Sequence, residues 1–247
     1  MRKQYGIFRF LYKLYFGILY ITTGLLLYPF MVVLVRGEKG VQRGIKLKQI
    51  WSRVMCTLVF IRVKVTFEEE LPTNRAYIFC PNHFSYLDIV LMYIVLPHNI
   101  AFLGKAEILK WPIISLFFKR GVDIPVFRES KEDAAKCLIP AGEELKKGRS
   151  LVIFPEGKIS DHVPQLAEFK RGAFSLAMDT GVPIVPITFY NNWRLFSDHT
   201  DMFGPAKPGV SKVKVHKPLD PKDFTDFVSL RDETFRIIEQ ELKKYGN

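Results

Sequence analysis

The hydrophobic pattern changes character near residue 60. Leu14 to Val35 runs uncharged for 22 residues, and a bilayer crossing needs ~20. Pro29 interrupts that run, and tyrosines and phenylalanines are scattered along it. From Ile45 to Phe60, Lys46, Lys48 and Arg53 are mixed with Ile50, Trp51, Val54, Met55, Leu58 and Val59. That mixture predicts an amphipathic helix able to lie at a membrane interface.

Beyond residue 60 the runs shorten and two periods alternate. Arg62–Phe67, Ala76–Cys80, Ile100–Gly104, Val122–Phe127, Leu151–Phe154, Pro183–Tyr190 and Lys212–His216 read as strands or extended segments. Helical patterns fall at Ile89–Leu96 (ended by Pro97), Ala106–Lys119, Ser130–Gly148, Gly172–Thr180 (closed by Gly181) and Ser229–Tyr245. Strands alternating with helices predict an α/β fold, a mostly parallel central sheet with helices on both faces. The expected organisation is a two-helix membrane-associating hairpin, residues 1–60, followed by a globular domain, residues 61–247.

Charge sharpens that division. The net charge is +11, and residues 1–66 hold twelve Lys or Arg against the single acidic Glu38. The remaining 24 basic and 24 acidic residues cancel. Excess positive charge beside the most apolar segment suits an anionic lipid surface better than nucleic acid. Arg2, Lys3, Arg9 and Lys13 precede the apolar run, and Arg36, Lys39, Arg43, Lys46 and Lys48 follow it. Positive charge at both ends gives no orientation bias, so a hairpin dipping into one leaflet from the cytosolic side is expected over a single span. No alanine precedes Ala76, so no Ala-x-Ala cleavage site follows the run and the segment is expected to be retained. Cys56, Cys80 and Cys137 are far apart, odd in number and set among apolar residues, which reads as reduced thiols. No Cys/His spacing suggests a metal, and no cofactor is implied.

Candidate chemistry begins at Asn82-His83-Phe84-Ser85-Tyr86-Leu87-Asp88, between a buried strand and an apolar helix. Ser85 and Asp88 have the spacing of a capping box. The turn can bring the Asp88 carboxylate to one imidazole nitrogen of His83, which fixes the tautomer and leaves the other nitrogen as a base. By spacing alone, a solvated histidine and a helix-capping aspartate explain the same residues. Phe154-Pro155-Glu156-Gly157 follows another buried strand, where α/β sheets place ligands. A plain turn accounts for Pro155 and Gly157, but not for Glu156, Lys158 or Lys170-Arg171. Lys105, Glu107 and Arg128 are each ambiguous. His98, His199 and His216 show no partner in the sequence.

Taken in order, these stretches resemble the glycerolipid acyltransferase family, and within it the bacterial-type 1-acylglycerol-3-phosphate acyltransferases. The matching segments are Asn82-His83 to Asp88, Gly121 to Arg128, Phe154-Pro155-Glu156-Gly157 and Val185-Pro186-Ile187, over about residues 60–200. In one place the chain departs: the third segment continues Lys158-Ile159-Ser160 where the family has Thr-Arg-Ser. The resemblance implies transfer of a fatty acyl group from acyl-carrier protein or acyl-CoA, as donor substrate, to the free hydroxyl of lysophosphatidic acid. His83 would be the catalytic base, oriented by Asp88. Arg128 would hold the phosphate with help from Lys105, Lys158, Lys170 and Arg171, while Glu156 and Gly157 would serve acceptor binding. Amides near Gly157 or around His83 are the candidate oxyanion donors. Phe84, Trp111, Phe117 and Phe118 are candidate acyl-tunnel liners or plain core. No serine or cysteine lies in a nucleophile elbow, which points to direct attack. Another lysolipid acceptor, or a non-catalytic membrane scaffold on the same fold, stays open on these grounds.

Overall fold

Seven strands form the sheet in the order β1-β7-β6-β2-β5-β3-β4. They are β1 (Ile61–Phe67), β2 (Ile78–Pro81), β3 (Ile100–Lys105), β4 (Ile124–Val126), β5 (Ser150–Val152), β6 (Ile184–Phe189) and β7 (Gly209–Val215). All neighbouring strands are parallel except β6 and β7. The computed structural model describes residues 2–37, 39–110, 112–127, 136–160, 162–197 and 201–246.

Single-residue alternation along β2 explains why both faces are covered. Ile78 and Cys80 enter one apolar core, and Phe79 between them enters the other. The Phe79 side is closed by α1 (Arg2–Leu34), α2 (Gly40–Leu58) and α3 (Leu87–Val95). The Ile78 side is closed by α5 (Leu138–Lys146), α6 (Gly172–Thr180) and α8 (Phe227–Lys244). Strands buried on both faces read as unbroken apolar runs, as β2 and β6 do. Helix α4 (Pro112–Lys119) follows a 3-10 turn at Ala106–Lys110, so the helix expected over Ala106–Lys119 is divided. Proline has no N–H to give an i−4 carbonyl, and it suits the first turn of a new helix. Of the helix expected over Ser130–Gly148, the described portion is α5, ending before Gly148 at φ +79°. A short α7 (Asn192–Leu195) follows β6.

Pro29 does not interrupt α1, which continues to Leu34. The proline removes only the hydrogen bond to the Leu25 carbonyl, and contacts with α2 hold the helix on the molecule. Tyr12 donates to the Val59 carbonyl at 2.6 Å, Trp51 Nε1 donates to Thr23 Oγ1 at 2.8 Å, and Tyr20 stacks on Trp51 at 4.9 Å. The amphipathic pattern of α2 serves a protein interior more than a lipid surface. Ile45, Leu47, Trp51, Met55 and Cys56 enter the core beneath β1 and α3, and Ile50, Val54 and Leu58 form the outward apolar stripe.

Candidate active site

Parallel strands align their carboxyl ends on one edge, and that edge collects the chemistry. The turn after β2 carries His83, the loop after β5 carries Glu156, and the segment after β6 carries Asn192. Strands β6, β2 and β5 are adjacent in the sheet. Asn82 fastens the first turn to the end of β6: its amide accepts from the Phe189 N–H at 2.7 Å and donates to the Phe189 carbonyl at 3.0 Å.

His83 Nδ1 lies 3.1 Å from Asp88 Oδ2, and the carboxylate is completely buried. A carboxylate only accepts, so the contact selects the Nδ1–H tautomer and leaves Nε2 for a substrate proton. The same oxygen accepts from the backbone amides of Phe84 at 2.8 Å and Ser85 at 2.9 Å. Asp88 thus occupies the helix N-terminus as the spacing predicts, but only half of the capping box forms. Ser85 Oγ accepts from Leu87 N at 3.0 Å and donates to the Phe196 carbonyl at 2.5 Å, so it does not cap Asp88. Phe154 stacks on the imidazole at 4.0 Å between ring centres and covers one face of the base.

Gly157 takes φ +76° and closes the Pro155–Gly157 turn, its amide donating to the Phe154 carbonyl at 3.1 Å. A positive φ there favours glycine. Glu156 sits beneath the base rather than at the rim. It is 2% exposed, with Oε1 accepting from His83 N at 2.7 Å and Oε2 from Ala167 N at 2.8 Å. Burial pushes its carboxyl up to about 7; the two amide hydrogen bonds oppose this and the Asp88 charge adds to it. Among the expected oxyanion donors, the amides of His83, Phe84, Ser85 and Gly157 each already have an acceptor.

The expected phosphate ligands are spread more widely. Lys105 ends β3, exposed and paired with Glu107 at 2.8 Å. Lys158 is exposed one residue beyond the Gly157 turn. The exposed Lys170 is tied to the same loop through its amide, which donates to the Pro155 carbonyl at 2.8 Å, and the exposed Arg171 caps α6. Arg128, Trp111 and His199 lie outside the described residues. Phe84, Phe117 and Phe118 are core side chains. His216, expected to lack a partner, has two: Thr188 Oγ1 at 2.8 Å and Glu68 at 3.3 Å. The three cysteines are free and buried, and burial raises the Cys80 thiol, leaving a poor nucleophile.

Sequence reasoning missed the far side of Asp88. Asn192 Nδ2 donates to Asp88 Oδ1 at 2.6 Å, and Ser211 Oγ donates to Asn192 Oδ1 at 2.6 Å. No motif spacing could have found a contact made across 104 residues.

A model of the acyltransferase family matches residues 62–190, just over half of the chain and all of the His83, Asp88 and Glu156 cluster. The chain belongs to the acyltransferase family. It is 31% identical over 172 residues to a chloroplastic 1-acyl-sn-glycerol-3-phosphate acyltransferase of Arabidopsis thaliana, covering 69% of this chain and 47% of the relative. It is 29% identical over 203 residues to a lyso-ornithine lipid O-acyltransferase of Rhizobium meliloti, covering 82% of this chain and 65% of the relative. The chain spans about half the length of the first curated relatives it matches. Among solved structures, the 1-acyl-sn-glycerophosphate acyltransferase of Thermotoga maritima superposes with a TM-score of 0.79. The two are 26% identical, covering 100% of this chain and 98% of that one. In this acyltransferase the family match begins one residue into β1 and ends one residue after β6, so α1 and α2 lie outside it.

Proposed function

We propose that this acyltransferase moves a fatty acyl group from a thioester, acyl-carrier protein or acyl-CoA, to the sn-2 hydroxyl of 1-acyl-glycerol-3-phosphate, giving phosphatidic acid. The observation that carries the reading is the buried Asp88 carboxylate against His83 Nδ1. An alcohol is a weak nucleophile near neutrality, so its proton must leave as it attacks. Nε2 takes that proton while the hydroxyl oxygen bonds to the thioester carbonyl carbon. The carbon–sulfur bond then breaks, and the proton on Nε2 passes to the departing thiolate. Asp88 steadies the imidazolium between the two transfers. Glu156 acts on the base through its backbone, and the exposed Lys105, Lys158, Lys170 and Arg171 supply positive charge for the phosphate. Arg128 is assigned the same role from its motif position.

Membrane attachment belongs to this proposal. Gly6–Leu34 is long and apolar enough to cross a bilayer, and its outward side chains include Phe8, Leu25, Leu26 and Phe30. We read α1, with the Ile50/Val54/Leu58 stripe of α2, as the surface that keeps the site at an anionic membrane on its cytoplasmic side.

Purified protein in liposomes with oleoyl-lysophosphatidic acid tests the reaction, with each donor supplied in turn. Wild type should form phosphatidic acid, and H83A should lose roughly 100- to 10,000-fold in rate with an unchanged melting curve. Undiminished transfer by H83A would remove His83 from the mechanism. A lyso-ornithine lipid acceptor is the second reading, favoured by the Rhizobium meliloti relative and by Ile159 in place of a motif arginine. Product from that acceptor alone would replace the phosphate reading.

A further inference from the structure

We propose that Asn192, oriented by Ser211, is a positioning residue that sets the Asp88 carboxylate for His83. The inference rests on His83 as the base. Asp88 Oδ2 already serves three donors: His83 Nδ1 and the amides of Phe84 and Ser85. Asn192 Nδ2 is the contact to Oδ1, at 2.6 Å. Those three bonds fix one oxygen only, so the carboxylate plane could tilt about Oδ2 and carry the imidazole with it. A donor on Oδ1 from a separate element removes that freedom.

The Asp88 carboxylate only accepts, so it takes the NH2 end of the amide. The Ser211 hydroxyl donates to the other end, Asn192 Oδ1, and holds the amide in that orientation. Asp88, Asn192 and Ser211 are all fully buried, so water offers no substitute partner. The relay crosses the sheet edge from β7, through α7, to the first turn of α3. The titratable groups around it are His83 on the same turn and Glu156 across it. On the flanking elements Arg194 lies over Trp193, Lys212 lies over Tyr245, and Lys13 bonds to Ser197.

The experiment compares wild type, N192L, N192D and S211A for kcat and KM across pH, with H83A beside them. N192L strands a buried carboxylate oxygen and should lower kcat about 10- to 100-fold with KM nearly unchanged. N192D keeps the shape and donates only while the paired carboxyls share a proton. It should therefore work at low pH and lose activity as pH rises, an alkaline limb displaced downward from wild type. S211A should fall between wild type and N192L. In protein with isotope-labelled histidine, assigned by H83Q, the His83 ring nitrogens should report the Nδ1–H tautomer in wild type and a mixed tautomer in N192L. That readout needs no substrate. A wild-type pH profile and tautomer in N192D and N192L, or equal losses at every pH tracking lower melting points, would overturn the proposal. If N192L fails to fold, the isosteric N192D decides. Full activity in H83A would instead overturn the base assignment, leaving the tautomer measurement to judge Asn192.

Discussion

Glu156 is the residue whose placement most changes its expected role. Its motif position suggests substrate contact, yet both oxygens hold backbone amides, those of His83 and Ala167. A rim residue would also not be pushed from 4.5 up to about 7 by burial. The consequence for stability has a definite sign. Below about 4.5 both folded and unfolded chains carry the proton, and above about 7 neither does. Between these values the folded state alone retains it, so stability falls as pH rises through the window. The span corresponds to an effect on the order of 3 kcal/mol. Melting temperatures should decline across that window in wild type and decline less in E156Q, which cannot titrate. Parallel curves for the two proteins would count against the assignment.

At the scale of elements, α2 is bound to the sheet by a buried charge. Lys48 donates to Asp123 and to Tyr93 Oη, the latter at 2.8 Å, and its ammonium lies 4.4 Å from the Phe117 ring centre. Burial lowers the Lys48 pKa, and the Asp123 carboxylate beside it opposes the shift. Asp123 also accepts from Phe102 N at 3.2 Å, which links α2 to β3. Removing one partner of such a pair strands the other, a change costing about 3–5 kcal/mol. K48M preserves the stem and should lower the unfolding free energy from urea titration by that amount, with weakened docking of α2 seen as faster amide exchange in its core-facing turns. Unchanged exchange would mean that the apolar contacts of Trp51 and Met55 suffice. Gly44 bears on the same junction: a Cβ there would meet Val122 at 2.8 Å, so the close approach of α2 depends on its absence.

For the whole molecule, the core runs across residue 60 without a seam. Met31, Val35, Ile45, Trp51 and Met55 share it with Phe79, Leu91 and Val185. The outer side of α1 has no such cover, leaving Leu26 72% and Phe30 62% exposed. The two faces predict opposite behaviour. L26E/F30E should release the protein from anionic liposomes in flotation while leaving its melting point nearly unchanged. Cutting the chain after residue 60 should abolish folding, because it strips side chains from the shared core. Liposome binding unaffected by the double glutamate variant would place the lipid contact elsewhere.

Much of the fold was legible because its cause is local. The alternation of β1, the unbroken apolar runs of β2 and β6 and the cap at Gly181, where φ is +67°, follow from neighbours in the chain. The His83–Asp88 contact was legible for the same reason, since five residues close it within one turn. The antiparallel partnership of β7 with β6 was not, because an apolar run does not state the direction of its neighbour. Nor were Phe154 over the imidazole, Glu156 beneath His83, or the partners of His216. Each depends on strands meeting side by side from distant parts of the chain. By itself, then, the sequence determined the alternation of elements, the apolar segment at the N-terminus and the residues of the reactive turn. The tertiary structure alone decided which groups surround that turn. The reason is physical: short-range spacing sets backbone geometry, whereas the partners of a buried charge are chosen by the packing that excludes water from it.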